Sequence, residues 1–263
     1  MIWTLAIAAG GLVGLVLGLI GGGGSIFAVP LLIYLVGVPS MHVAIGTSAV
    51  AVALSAATNL LMHARRGNVR WRSAALFALT GIVGAWVGAR LGKMTDGRRL
   101  LVLFGLVMLA VGALTFSRHG AAGRTTGRIE PGPERASAPR LLGTGLATGV
   151  ASGFFGIGGG FLVVPSLLYA TDMPMIAAVG SSLVAVTAFG LVTALSYATS
   201  GLVDWGLAAA FIAGGLLGGL GGTRLAFILA ARRRALAVAF GTVVIAVGGY
   251  IALSGLEALW PKR

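Results

Sequence analysis

Two pairs of neighbouring hydroxyls, Thr47-Ser48 and Ser181-Ser182, each follow a glycine inside an apolar run. Upstream of each pair stands a cluster of glycines. The first is Gly21, Gly22, Gly23 and Gly24, ending at Ser25; the second is Gly156, Gly158, Gly159 and Gly160. A hydroxyl offers one O–H donor without bringing a charge. Glycine lets a ligand approach the backbone closely, so the N–H groups of a glycine-rich segment become donors as well. Where such a segment opens a helix, its first N–H groups are unpaired and lie at the positive end of the dipole. The chemistry on offer is the binding of a small anion by neutral donors. No Lys or Arg stands in the middle of any apolar run. The same residues have a plainer use, since glycines admit close helix crossings and buried hydroxyls bond neighbouring carbonyls.

The elements that must position these residues belong to a membrane. The chain is 57% hydrophobic and 10% charged, where a soluble domain carries about 25% charged residues. Apolar runs cover 2–20, 25–37, 43–62, 73–91 and 100–117, then 141–155, 161–171, 178–199, 205–225 and 235–254. The longer ones approach the roughly 20 residues a helix needs to span a bilayer; 25–37 and 161–171 are too short to cross alone. Each clustered glycine costs about 1 kcal/mol in a helix interior, so the helix breaks there. Non-helical backbone at that depth requires a surround of protein or a water-filled cavity. The N-terminal stretch MIWTLAIAAGG has no basic residue and reads as the first membrane segment rather than a signal peptide.

The pattern occurs twice. GGGGSIFAVP at 21–30 returns as GIGGGFLVVP at 156–165, with Tyr34 and Pro39 answered by Tyr169 and Pro174. Gly67 and Trp71 match Gly201 and Trp205, and Gly81, Gly84, Gly88 and Arg90 match Gly215, Gly218, Gly222 and Arg224. This divides the chain into a first membrane repeat (1–117), a polar connector (118–140) and a second membrane repeat (141–263), one integrated transmembrane domain. If each broken element is a hairpin, 13 basic residues in 63–72, 118–140 and 224–234 share one face and 6 share the other. Positive charge marks the cytoplasmic side. The expected fold is an all-α polytopic membrane protein of two inverted repeats, each a glycine-broken, re-entrant-like helical hairpin plus three transmembrane helices. The connector is then cytoplasmic and both termini lie outside the cytoplasm. A pair of glycine- and proline-interrupted segments in matching halves points to a transporter's binding site.

Other classes are disfavoured. The net charge of +13 resides in the connections between runs, where it orients the chain rather than recognising nucleic acid. There is no cysteine for disulfides, thiolate metal sites or iron–sulfur clusters, and no P-loop. No His/Asp/Glu cluster or activated nucleophile is visible, so neither an enzyme nor a cofactor or metal site is expected. His42 and His63 fall near helix ends and read as interfacial. Ser55, Asn59 and His63, with Thr193 and Tyr197 in the second half, continue the hydroxyl-bearing faces. Whether Asn59, His63, Thr193 and Tyr197 line a path stays open, as does the oligomeric state.

With these motifs in hand, the chain resembles the sulfite exporter TauE/SafE family of membrane permeases along nearly its whole length. The residues that carry the resemblance are GLIGGGGSIFAVPLLIYLVGVPSMHVAIGTS and GFFGIGGGFLVVPSLLYATDMPMIAAVGSS. It implies a secondary transporter in the cell membrane for small sulfur-containing anions such as sulfite, sulfoacetate, thiosulfate or related sulfonates, coupled to a proton or potential gradient. Ile157 stands where the first copy has Gly22, which leaves the two tips unequal. The competing readings are an anion channel through the same tips and a membrane scaffold in which the tips only pack.

Overall fold

The computed structural model describes residues 2–20, 22–119, 137–156, 160–228, 242 and 244–254. Among them every regular element is helical. Helix α1 (Ile2–Ile20) leads into the first glycine cluster. There the sequence predicts a short helix over 25–37. The chain instead winds in three ways: a 3-10 helix over Gly22–Phe27, one α turn, α2 (Ala28–Pro30), and a π-helix over Leu31–Leu35. Pro30 has no N–H to give back to the preceding turn, and its ring crowds the carbonyl there. The wider turn that follows lets Val36 N–H donate to Leu31 O at 3.0 Å. Then come α3 (Met41–Arg65), α4 (Trp71–Met94), α5 (Gly97–His119), α6 (Ala138–Phe155), α7 (Gly160–Ala170), α8 (Met175–Ala198), α9 (Trp205–Ile228) and α10 (Val244–Ser254).

Of the described helices, α1, α3, α4, α8 and α9 are long and apolar enough to cross a bilayer; the arms Gly24–Leu35 and Gly160–Ala170 are not. Outward-facing Leu79, Leu195 and Leu217 present the apolar surface that a lipid solvent requires.

The chain forms two compact units, Met1–Met94 with Glu134–Ala226, and Thr95–Pro133 with Phe227–Arg263. These units and the two repeats are different divisions, because each unit draws on both halves of the chain. In the second unit α5 and α10 run antiparallel, with Gly105 against Ala252 and Gly248 against Met108. Asp96 caps α5, its carboxylate accepting from Arg98 N–H at 3.0 Å and Arg99 N–H at 3.3 Å.

In the first unit the halves exchange helices. Gly10, Gly14 and Gly18 of α1 lie against Phe211, Gly215 and Gly222 of α9, so these two run parallel. The matching residues of the other halves do the same: Gly145, Gly149 and Gly153 of α6 lie against Phe77, Gly81 and Ala85 of α4. The backbones touch so closely that no Cβ fits between them. A Cβ on Gly149 would stand 2.6 Å from the Gly81 Cα. Between these pairs α3 and α8 run antiparallel, Gly46 beside Tyr197 and Ala53 beside Gly190. Both end in the same turn. Gly67 and Gly201 take left-handed φ of 69° and 68°, and Asn68 and Leu202 N–H close back on the His63 and Tyr197 carbonyls at 3.0 Å.

Candidate functional site

Helix α6 stops at Gly156, whose φ of 68° puts it in the left-handed region and whose N–H donates to Ser152 O. Glycine takes this conformation at no steric cost, which makes it the natural stop for the helix. A Cβ here would also run into the Ile45 side chain of α3. Ser48 donates its O–H chiefly to Ile45 O at 2.9 Å, and its oxygen lies 3.5 Å from the Gly156 carbonyl. The second tip is therefore seated on the hydroxyl helix of the first half. Beyond it Gly160 opens α7; Gly158 and Gly159 lie outside the described residues, as does Gly21.

At the first tip, Gly22 and Gly23 begin the 3-10 turn and Gly24 presses on α1, where a Cβ would come within 2.8 Å of the Val16 carbonyl carbon. Close packing is reason enough for glycine at 24. Ser25 is fully buried. The segment 22–27 also packs against α7, so the broken arms of the two halves touch.

The two hydroxyl pairs play matching parts. Asp204 N–H donates to Thr47 Oγ1 at 3.0 Å, and Arg70 N–H donates to Ser181 Oγ at 2.9 Å. Each first hydroxyl thus pins the loop that follows the opposite hydroxyl helix. Each second hydroxyl donates within its own helix, Ser48 to Ile45 O and Ser182 to Val179 O at 2.7 Å. All four side chains are fully buried. The antiparallel register of α3 and α8 sets Ser48 and Ser182 roughly 13 residues apart along the pair, about 20 Å at 1.5 Å per residue. The structure brings Ser48 to the second tip and keeps it away from Ser182.

Further along these faces the duplication fails. Asn59 of α3 donates to Ser55 O and accepts from Thr223 Oγ1 of α9, both at 3.0 Å, all of it buried. The matching pair is Thr193 of α8 and Ala89 of α4, and alanine has nothing to offer. Thr193 Oγ1 is buried without a hydrogen-bond partner among the described residues. So is the hydroxyl of Tyr197, the counterpart of His63, and so is Ser152 Oγ, which stands where the first half has Leu17. A buried hydroxyl left unpaired costs about 1–3 kcal/mol, so native folds keep few of them.

The surroundings of Tyr197 are basic. A Cβ on Gly92 would lie 3.0 Å from its hydroxyl and 2.6 Å from the Phe154 carbonyl oxygen, which places Tyr197 beside the end of α6. Lys93 Nζ donates to Ser196 O at 2.8 Å and to Ser200 Oγ at 3.0 Å, and lies 5.9 Å from the Tyr197 ring centre. His42 Nε2 is 3.3 Å from Gly92 O. Outside these residues a cleft of about 520 Å³ opens between α4 and α8, with Arg90 and Lys93 in its wall and Arg90 stacked 4.0 Å over Trp86. Among the described residues no three His, Asp or Glu side chains gather as a metal site would require. Sequence reasoning left Thr193 and Tyr197 open and passed over Ser152 and Lys93. A lone serine in a small-residue helix gives no signal, and a basic residue at a helix end looks like any other.

Comparison with known proteins agrees along the chain's length. The model of the family described as sulfite exporter TauE/SafE matches residues 6–251. A probable membrane transporter protein of Xylella fastidiosa is 51% identical over 252 residues, 94% of each chain. The probable membrane transporter protein YunE of Bacillus subtilis is 28% identical, covering 83% of this chain and 86% of its own. The probable membrane transporter protein MJ0441 of Methanocaldococcus jannaschii is 27% identical over 77% of this chain and 76% of its own. No solved structure matches.

Proposed function

Since the chain belongs to the sulfite exporter TauE/SafE family, we propose that it is a secondary transporter moving small sulfur-containing anions, such as sulfite, sulfoacetate and related sulfonates, across the cytoplasmic membrane, driven by a proton or potential gradient. That it is a multi-pass membrane transporter and not an enzyme follows from the family and the relatives. The anion chemistry rests on one observation above the others. A glycine tip of one half, without a cationic side chain of its own, is seated on a buried hydroxyl of the other half, Ser48 beside Gly156. In this reading the donors are the tip backbones, Gly21 to Gly24 with Ser25 and Gly156 to Gly160, together with Thr47, Ser48, Ser181 and Ser182. They form two half-sites, one toward each membrane face.

Helix directions support the inverted repeat. α1 and α9 run together, α4, α6 and α8 run together, and α3 runs against α8, so each helix of the first half is reversed in the second. The membrane-crossing halves are then related by an axis in the plane of the bilayer, the arrangement from which alternating access arises. The excess of basic residues in loops 63–72, 118–140 and 224–234 favours both termini outside the cytoplasm. Cysteines introduced at Gly67 and Ser200 should label from opposite sides, Gly67 from the cytoplasm; labelling of both from one side removes the inverted repeat.

The function itself is tested with purified protein and with proteoliposomes. Sulfite, sulfoacetate, taurine, thiosulfate and sulfate are titrated in turn, and the ligand that binds is followed for gradient-driven accumulation. Flux at channel rates without accumulation would make the protein an anion channel, and no binding or flux for any of them would make it a scaffold.

A further inference from the structure

The unpaired hydroxyls distinguish one end of the bundle from the other. The two halves share their glycine crossings, their turns and the loop-pinning hydroxyls, yet the buried hydroxyls without a partner among the described residues, Ser152, Thr193 and Tyr197, all belong to the second. Asn59, Ser55 and Thr223 close a buried network on the first-half side. On the second-half side Ala89 replaces the threonine, and Thr193 and Tyr197, one helical turn apart on the same face of α8, keep hydroxyls that bond to nothing. Ser152, one turn before the Gly156 tip on α6, is in the same position. A buried hydroxyl without a protein partner retains a donor for an acceptor that is not part of the fold. A small oxyanion is such an acceptor, with oxygens enough for several donors at once.

We propose, resting on the transport reading above, that the sulfur oxyanion is held off-centre, at the second-half end of the bundle, with Thr193 and Tyr197 donating to its oxygens and Ser152 beside the tip as a further donor. Lys93 and Arg90 stand at the mouth. Both line the 520 Å³ cleft, whose walls do not include the three hydroxyls, and Lys93 links it to them, its ammonium 5.9 Å from the Tyr197 ring. Their charge raises the local concentration of an anion, and the neutral hydroxyls behind them bind it without a fixed countercharge. At the matching place on the first-half side Asn59 and Thr223 satisfy each other and the buried His63 stands where the second half has Tyr197, so that side offers no unpaired hydroxyl among the described residues. The anion thus meets two unequal half-sites, a stronger one with free hydroxyls and a weaker one without.

Removing these hydroxyls has a signature that a packing role would not produce. Tyr197→Phe and Thr193→Val delete a buried donor that has no partner and keep the shape of the side chain. Without ligand both variants should melt higher than the unaltered protein, by about 2–4 °C for each unpaired group relieved. They should also bind sulfite or sulfoacetate roughly 10- to 150-fold more weakly, the range for hydrogen bonds to a charged group. Thr223→Val, at the matching position of the satisfied side, should melt lower and bind as before. The full chain is purified in detergent, its affinity measured by titration calorimetry and its melting by intrinsic fluorescence. Tyr197→Phe and Thr193→Val binding with unaltered affinity would overturn the proposal and leave the transport reading standing. Failure of the unaltered protein to bind any sulfur oxyanion would instead remove the transport reading. The melting curves still decide in that case, since variants that melt lower show the hydroxyls to be partnered and overturn the proposal.

Discussion

Gly156→Ala is expected to cost the fold about 2–5 kcal/mol and to abolish tight anion binding. A side chain in the left-handed region costs roughly 1–2 kcal/mol. The new Cβ also points into the Ile45 side chain on α3, and overpacking of that kind adds about 1–3 kcal/mol. Relief can come only by moving the tip away from α3, which separates Gly156 from Ser48. Ser48→Ala makes the useful comparison. It leaves the tip seated, removes a hydroxyl bonded mainly to Ile45 O, and should cost no more than about 0.5–1.5 kcal/mol. Both are read as thermal unfolding in detergent with anion titration alongside. If Gly156→Ala unfolds no earlier than Ser48→Ala, the tip does not depend on its contact with α3.

The second large effect concerns the loop-pinning hydroxyls. Thr47→Val strips the Asp204 N–H of its acceptor, and Ser181→Ala does the same to the Arg70 N–H. A donor stranded in this way costs about 1–3 kcal/mol. The two sites lie at opposite ends of the α3 and α8 pair, far enough apart for their effects to add within about 0.5 kcal/mol. The double variant should therefore lose the sum, some 2–6 kcal/mol in the same terms. A double variant no worse than either single one would show that the two ends act as one unit. A single variant of unaltered stability would show that the loop N–H finds water instead.

Much of this fold could be read in the sequence because a membrane leaves so few choices. The run 2–20 is α1, and 73–91 falls within α4 (Trp71–Met94). The duplication was legible because close crossings demand small residues in both copies. Gly81, Gly84 and Gly88 face α6 for the same reason that Gly215, Gly218 and Gly222 accompany α1. What could not be read was which helix each glycine face meets, since a small-residue face fits any other. The use of each hydroxyl was hidden as well. Ser48 bonds its own helix while Thr193 bonds nothing, and the difference lies in residues on other helices: Thr223 pairs with Asn59, whereas Ala89 leaves Thr193 alone. The first arm winds through 3-10, α and π turns while α7, with Pro165 at the matching place, stays α-helical, so the difference does not come from the proline alone and composition does not announce it.

The exchange of helices between halves bears on how the protein is made. Gly14 of α1 rests on Gly215 of α9, a residue the ribosome adds roughly 200 positions later, about 10–40 s at ordinary elongation rates. Throughout that interval α1 is in the bilayer with its glycine face against lipid or whatever attends insertion. α6 has no such wait, because α4 is already in place when it emerges. The two halves, alike in sequence, are therefore assembled on different schedules. The first unit can close around α1 only when synthesis is nearly over, and a nascent chain released before α9 has emerged leaves that face bare.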